Sequence, residues 1–318
     1  MNKKDFRIIF FGTPDFAATS LESLISQDFN IVAVVTAPDK PAGRGMKLNE
    51  SAVKKMALKH GIPVLQPEKL KSVEFQEALA KINPDLGIVI AFRMMPESVW
   101  NFPKLGTINL HASLLPQYRG AAPIQHAVIQ GEKISGLSIF FLKHEIDTGD
   151  IIARHEMEIG DDENAGSLHD RMMAKGADLV CETVQKIIDQ TVVAEPQITT
   201  GELKTAPKLN REFCQLDLHL SMQEIHNKVR GLSPYPGAWI TSKWGDMKII
   251  QTHNSMEFKK VDGEMDPSHL IVLDDHLNLF HKKLLLECAD GWLEIISLQI
   301  PGKSKMAARD FLNGLKTT

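Results

Sequence analysis

The stretch Leu86-Gly87-Ile88-Val89-Ile90-Ala91 contains no polar side chain, and it is the best guide to the fold of this 318-residue chain. A strand with one face in water alternates apolar and polar residues, whereas a continuously apolar strand is buried on both faces. Largely apolar runs at 6–11 and 31–35 are each followed by a segment with helical spacing of apolar residues, at 15–26 and at 51–60, where Ser51 can serve as the N-cap. This pattern predicts a parallel sheet covered by helices, an α/β fold, in the first part of the chain.

The next apolar run ends in Asn109 and His111, two residues apart. Ligands of open parallel sheets bind beyond the carboxyl ends of the strands, and side chains two apart on a strand share a side. An amide beside a titratable ring is suited to catalyse nucleophilic attack on a carbonyl group. The N–H groups of the amide and the ring can hydrogen-bond to the developing oxyanion, and the ring can also transfer a proton. For an isolated Asn-x-His, a turn asparagine and a surface histidine would be the commoner explanation.

Asp147 is the carboxylate that we expect beside His111. It precedes Thr148-Gly149 in a turn between two predicted strands, at 137–142 and 151–159. A carboxylate within hydrogen-bond reach favours the imidazolium, fixes the ring, and can receive a proton from an attacking amine. Taken alone, an aspartate in such a turn is more often a solvated side chain without a catalytic role. Together with Asn109 and His111, it predicts a three-residue catalytic site.

Composition excludes several classes of protein. Three cysteines, widely spaced and in no C-x-x-C pair, argue against disulfides and a thiolate zinc site and favour a reducing, cytoplasmic setting. No apolar run approaches the length of a membrane span. The turn Gly12-Thr13-Pro14-Asp15 lacks the further glycines of a dinucleotide fingerprint, which disfavours a nicotinamide oxidoreductase. His144 and His155 lie near Asp147, but their spacing fits no common ligand set, so no metal is expected.

The net charge of −4 argues against a general nucleic-acid coat, yet residues 40–59 hold six lysines and arginines against one glutamate. A local field of this kind can dominate over a Debye length of about 8 Å. A solvated helix face explains the lysines after Ser51 at least as well. It does not explain Arg44, which lies between two glycines.

The second part of the chain has a different pattern. Residues 190–207 are polar and predict a linker, and Ser221 with Glu224 predicts a capped helix over 221–230. Short alternating segments follow, which predict a small, mainly β domain, most simply a barrel. We therefore expect a first domain at 1–190, a linker at 191–208 and a second domain at 209–318.

Asn109, His111 and Asp147, with the loop Ser113-Leu114-Leu115-Pro116, resemble the catalytic trio and signature loop of the 10-formyltetrahydrofolate-dependent formyltransferase family. Segments 11–16, 36–45 and 232–239 resemble the family members that act on methionyl-initiator tRNA. The resemblance covers nearly the whole chain. It implies a Rossmann-like parallel-sheet formyltransferase domain followed by a small OB-like β-barrel domain that binds tRNA.

The resemblance also implies a reaction. The formyl group of 10-formyltetrahydrofolate, a substrate, passes directly to the free α-amino group of methionyl-initiator tRNA for translation initiation. Asn109 and His111 stabilise the oxyanion, and Asp147 or a water it holds takes the ammonium proton. The residues implied on the folate side are Ser113, Leu114, Leu115, Pro116, Phe92, Arg93 and Met94. At Arg93-Met94-Met95 the sequence departs from the family pattern, since many members are longer there and contain glycine.

For the tRNA, the resemblance implies that the loop around Arg44 enters the acceptor stem. The candidate contacts in both domains are Lys40, Arg44, Lys47, Lys282, Lys283, Lys303 and Lys305. A scattered, solvated surface explains the last four about as well. We expect a monomer that binds no membrane. The alternatives are a formyltransferase for an amino sugar or nucleotide, which would share the trio, and a catalytically silent nucleic-acid-binding protein, which the acidic net charge disfavours.

Overall fold

The computed structural model describes residues 2–42, 47–261, 263 and 265–315. These residues form two compact units. The first comprises the chain up to Gly120 together with 136–157 and 170–204, and the second comprises 121–135, 158–169 and the chain from Thr205 onward. Each unit therefore takes segments from separate parts of the sequence. The domain boundaries that we expect at 190 and 208 stay a prediction.

Strands and helices alternate through the first two hundred residues. In chain order the strands are β1 (Ile8–Gly12), β2 (Ile31–Val35), β3 (Lys40–Ala42), β4 (Lys47–Asn49), β5 (Val64–Leu65), β6 (Leu86–Ile90), β7 (Thr107–His111), β8 (Arg119–Gly120), β9 (Ile134–Phe141) and β10 (Ile151–Glu158). The helices are α1 (Asp15–Ser26), α2 (Ala52–Lys59), α3 (Val73–Ile82), α4 (Glu97–Trp100), α5 (Pro123–Ile129) and α6 (Ala165–Ile188).

The sheet of the first unit has the strand order β10-β9-β7-β6-β1-β2-β5. The pairs β1–β2, β1–β6, β2–β5 and β6–β7 are parallel, and β7–β9 is antiparallel. Every residue of β1 and β6 is buried, so the continuously apolar runs do mark strands covered on both faces. The predicted α/β class with a parallel sheet is confirmed. Because β6 and β7 run parallel, the loops that follow them leave the same edge of the sheet.

Local signals in the sequence predicted several element ends. α1 spans the predicted residues 15–26, and the Ser51 hydroxyl accepts a hydrogen bond from the Lys54 N–H at 3.0 Å as the N-cap of α2. Gly87 interrupts the apolar run of β6 for a steric reason. A Cβ there would lie 2.3 Å from the Thr107 Oγ1 of the neighbouring strand.

The second unit is built on an antiparallel sheet. Its chain continues with β11 (Thr205–Ala206), α7 (Met222–Leu232), β12 (Ala238–Ser242), β13 (Gly245–His253), 3-10 turns at Met256–Phe258 and Pro267–His269, β14 (Ile271–Asp274), β15 (Leu277–Phe280), β16 (Lys283–Cys288), β17 (Gly291–Gln299), β18 (Met306–Ala307) and α8 (Ala308–Leu315). The strand order is β12-β13-β17-β16-β15-β14, and β18 pairs with β17. The predicted capping box of Ser221 and Glu224 begins α7.

All three cysteines are buried. Burial raises the pKa of the Cys181 and Cys214 thiols and raises the pKa of Cys288 to about 12. A raised thiol pKa means less thiolate, which is the reactive form. We therefore expect no modification of the native protein by iodoacetamide at pH 8 while free cysteine reacts fully, and three modifications in denaturant, both measured by intact mass. A labelled native protein would contradict the burial.

In the part of the chain described here, no helix combines the length and the apolar character that crossing a membrane requires.

Candidate active site

Asn109 and His111 lie at the carboxyl end of β7, where β6 and β9 flank them. Asn109 is half-buried, and His111 is only 7% exposed. Within the described residues the Asn109 carboxamide has no hydrogen-bond partner, so both of its N–H bonds are available to a ligand. The predicted pair therefore stands at the strand end that the sequence indicated.

The His111 ring lies between two oxygen atoms. Its Nε2 is 2.9 Å from the Tyr118 carbonyl oxygen, and its Nδ1 is 3.9 Å from Asp147 Oδ2. Because a carbonyl oxygen can only accept, Nε2 carries a proton and donates it. The distance to Asp147 is that of an ion pair and too long for a direct hydrogen bond. An imidazole with both nitrogens protonated would have an oxygen facing each of them.

Asp147 occupies a tight turn between β9 and β10. Its backbone is left-handed, with φ of 56°, a conformation that aspartate tolerates better than most residues. Its Oδ2 accepts a hydrogen bond from the Gly120 N–H at 3.0 Å, and only 12% of its side chain is exposed. The structure therefore brings Asp147 to His111, thirty-six residues away in sequence, as the sequence predicted.

Gln197 holds this turn, and sequence reasoning missed it because it lies in the polar segment that predicts a linker. Its Nε2 donates to the Asp147 carbonyl at 2.9 Å and to the Gly149 carbonyl at 2.8 Å. Its Oε1 accepts from Arg119 Nε at 3.2 Å and Nη2 at 2.6 Å. No periodic or motif signal marks such a side-chain bridge between distant segments.

Ser138 holds the loop 113–116 in the same way and was also missed. It is fully buried on β9, opposite His111 in the strand register. Its hydroxyl accepts from the Leu115 N–H at 3.1 Å and donates to the Ser113 carbonyl at 2.7 Å. The Ser113 hydroxyl in turn donates to the Gln117 carbonyl at 2.6 Å, so the loop is internally fixed.

Replacement of Ser138 by alanine should lower the free energy of unfolding by about 1–3 kcal/mol, because a buried N–H and a buried C=O each lose a partner. Urea denaturation measures this change. Ser20→Ala is the matched control, since the Ser20 hydroxyl is fully buried and has no partner within the described residues. Equal effects of the two substitutions would mean that the Ser138 hydrogen bonds contribute nothing.

Two family models match the chain. The one described as formyl transferase matches residues 6–184, and the one described as formyl transferase, C-terminal domain, matches residues 208–316. A methionyl-tRNA formyltransferase of Bacteroides fragilis is 45% identical, over 100% of this chain and 98% of its own. One of Flavobacterium psychrophilum is 44% identical, over 98% and 97%. The chain belongs to the methionyl-tRNA formyltransferase family.

Solved structures of more distant formyltransferases share the fold. An N-formyltransferase of Helicobacter canadensis, in complex with folinic acid and dTDP-3-aminofucose, has a TM-score of 0.65 at 20% identity, covering 91% of this chain and 98% of its own. HypX of Aquifex aeolicus, in complex with tetrahydrofolic acid, has a TM-score of 0.62 at 18% identity. That match covers 96% of this chain but 46% of HypX.

The segment after β6 is where this chain departs from the pattern expected of formyltransferases. Ala91 has φ of 46°, and the Phe92 ring packs on Phe11 with centroids 5.9 Å apart. The Arg93 guanidinium donates to the carbonyls of Pro67 and Glu68. Met94 is 76% exposed. Arg93 is thus engaged with the protein backbone, whereas the Met94 side chain is accessible to a ligand.

The basic residues predicted to contact tRNA fall in different settings. Lys40 is exposed at the start of the β3–β4 hairpin, and Arg44 lies outside the described residues. Lys47 begins β4. In the second unit Lys282, Lys303 and Lys305 are exposed, whereas Lys283 Nζ lies 3.3 Å from Glu294 and 3.6 Å from Glu257. Lys283 is therefore the least available of this set.

In the described part of the chain, no group of three or more His, Cys, Asp or Glu side chains is placed to hold a metal ion.

Proposed function

We propose that Asn109, His111 and Asp147 catalyse transfer of the formyl group of 10-formyltetrahydrofolate to the α-amino group of methionyl-initiator tRNA. The observation that carries this proposal is the His111 ring, held between the Tyr118 carbonyl and Asp147, two residues along β7 from a carboxamide with no described partner. The full-length similarity to methionyl-tRNA formyltransferases supports this acceptor.

The reaction needs a neutral amine, which an aminoacyl ester supplies because esterification removes the carboxylate that raises the amine pKa. The amine lone pair attacks the formyl carbon, and the carbonyl electrons move to oxygen. The Asn109 amide and the protonated His111 ring stabilise that oxyanion in the transition state. The C–N bond to N10 of the folate then breaks as the carbonyl re-forms.

Two protons must move for the bonds to balance. The attacking nitrogen becomes an ammonium and gives its proton to Asp147, or to a water that Asp147 holds. N10 of the folate takes up a proton as it leaves, which balances the proton released to Asp147 or its water, so the products are N-formylmethionyl-tRNA and tetrahydrofolate. Only 12% of the Asp147 side chain is exposed, so little water screens its interaction with the His111 ring. No covalent enzyme intermediate forms.

On the folate side, Ser113, Leu114, Leu115 and Pro116 shape the wall, and Ser138 holds their backbone in place. Phe92 and Met94 supply apolar surface to the pterin, which needs edge hydrogen bonds and apolar walls. Arg93 contributes through its position in the loop rather than through its guanidinium, whose hydrogen bonds go to backbone carbonyls.

On the tRNA side, Lys40 and Lys47 lie on the β3–β4 hairpin, and Arg44, which stands between two glycines in the sequence, suits a phosphate contact. The second domain is an OB-like barrel whose Lys282, Lys303 and Lys305 add phosphate contacts. Such contacts position the tRNA and weaken with salt. The protein acts as a cytoplasmic monomer that binds no membrane, with domains at 1–190 and 209–318 joined by a linker at 191–208.

The test is transfer of radiolabelled formyl from 10-formyltetrahydrofolate onto methionine-charged initiator tRNA, beside uncharged tRNA, free methionine and a dTDP-amino sugar. Label on the aminoacyl-tRNA alone supports the proposal. Label on the amino sugar would reassign the acceptor to a small molecule. No transfer to any acceptor, with folate binding intact, would overturn the proposed reaction.

A further inference from the structure

The segment that follows α6 is anchored to the first unit at both of its ends. Glu195 exchanges two backbone hydrogen bonds with Ile151, each of 2.8 Å. Near its other end the Lys204 carbonyl accepts from the Tyr118 N–H at 2.7 Å, and the Lys204 N–H donates to Gln117 Oε1 at 2.8 Å. The Gln197 side chain is therefore not required to hold this segment in place.

What the Gln197 side chain does hold is the turn of the candidate catalytic carboxylate. Both hydrogens of its amide go to the carbonyls of Asp147 and Gly149, one on each side of Thr148. Its oxygen faces the guanidinium of Arg119, a group that can only donate. The orientation of the amide is thus determined by its partners, since the reverse orientation would oppose like groups at both ends.

Asp147 needs such a restraint, because its backbone is left-handed and the residues just before it lie at the surface. Its neighbours His144, Glu145 and Ile146 are all exposed. Besides Gln197, the hydrogen bond from Gly120 to Oδ2 fixes the carboxylate. Gly120 directly follows Arg119 in β8, so Gln197 holds the Asp147 turn through its amide hydrogens and the residue next to Gly120 through its amide oxygen.

We propose that Gln197 is a positioning residue that sets the Asp147 carboxylate against His111. This inference rests on the proposed function, in which Asp147 receives the proton of the attacking amine. Gln197 acts through the backbone of the turn on one side and through Arg119 on the other. Displacement of a catalytic group by about 1 Å can cost on the order of 100-fold in rate.

Gln197→Glu is the decisive variant because it keeps shape and size. The new carboxylate still accepts from Arg119, but it has no hydrogen to give to the two carbonyl oxygens and repels them. Gln197→Ala removes the bridge without adding charge. Glu195→Gln is the matched control, since Glu195 lies on the same segment and is exposed, and among the described residues its side chain pairs with Arg154 alone, at 3.5 Å.

We expect both Gln197 variants to lower kcat by about 10- to 100-fold. KM for both substrates should change less than threefold, and both variants, like Glu195→Gln, should unfold well above the assay temperature. In parallel, NMR follows the Gly120 amide, whose proton resonance reports its hydrogen bond to Asp147 whether or not the enzyme turns over. That resonance should shift in both Gln197 variants and stay in place in the control.

The outcomes separate the two proposals. A wild-type enzyme without formyl transfer would overturn the proposed function. The Gly120 resonance of the Gln197 variants would then test only whether Gln197 holds Asp147 in place. An active wild type with unchanged kcat in Gln197→Glu would overturn the positioning role. Loss of activity in a variant that is already unfolded at the assay temperature would also overturn it, because the effect would then be one on folding. An unmoved Gly120 resonance would overturn it as well, because Asp147 would then keep its place without Gln197.

Discussion

Asn109→Ala should lower kcat by about 100- to 1000-fold while leaving folding intact. The loss follows from the removal of an oxyanion donor, which acts in the transition state. Folding should be spared because the Asn109 carboxamide has no hydrogen-bond partner among the described residues. Single-turnover kinetics with saturating 10-formyltetrahydrofolate and charged initiator tRNA measure the change, and circular dichroism follows the unfolding midpoint.

Asn109→Asp sharpens this prediction. It is nearly isosteric, but it places a carboxylate where the oxyanion forms, so its kcat should fall below that of the alanine variant. Asn101→Ala, at an exposed turn of the same unit, is the control and should retain wild-type turnover. A kcat within threefold of wild type in Asn109→Ala would remove Asn109 from the catalytic trio.

Gly149→Ala should reduce activity by about 100-fold or more, because the turn that carries Asp147 must shift. A Cβ at position 149 would lie 1.6 Å from the Phe141 carbonyl oxygen and 2.8 Å from its carbon. Backbone atoms of a central sheet cannot withdraw that far, so the turn moves and takes Asp147, two residues earlier, with it. Steady-state kinetics with both substrates and the unfolding midpoint measure the effect.

Gly314→Ala is the control for this substitution. A Cβ there meets no atom of the described residues within 4 Å, and alanine suits a helix better than glycine does. It should keep both turnover and stability. A near-normal kcat in Gly149→Ala would mean that the turn can move without loss of activity. Catalysis would then depend less on the position of Asp147 than we propose.

The parallel sheet could be predicted because a strand that is buried on both faces has a continuous run of apolar residues. The apolar run at 86–91 became β6, and helix ends with a side-chain cap, such as Ser51 and Ser221, were located to within a residue. β15 and α8 were not predicted. β15 is only four residues long and follows β14 closely, so alternation over so short a stretch is not distinctive.

The residues of the candidate site divide in the same way. The residue types and the spacing of Asn109, His111 and Asp147 indicate a catalytic site from the sequence alone. The structure brings His111 and Asp147 together. Gln197 and Ser138 act through hydrogen bonds to backbone groups of distant segments. A glutamine in a polar stretch and a serine in a strand have many possible partners, and only the fold selects among them.

The hydrogen bonds from Gln197 to the Asp147 turn limit where two members of this family can be joined in a chimeric protein. A chimera that joins one parent up to the end of α6 with another parent thereafter would inherit its three candidate catalytic residues from the first and position 197 from the second. Under the proposed role of Gln197, a second parent without an amide at position 197 would leave the turn of Asp147 without these hydrogen bonds. The crossover point that keeps the bridge intact therefore lies after Lys204, not at the end of the long helix.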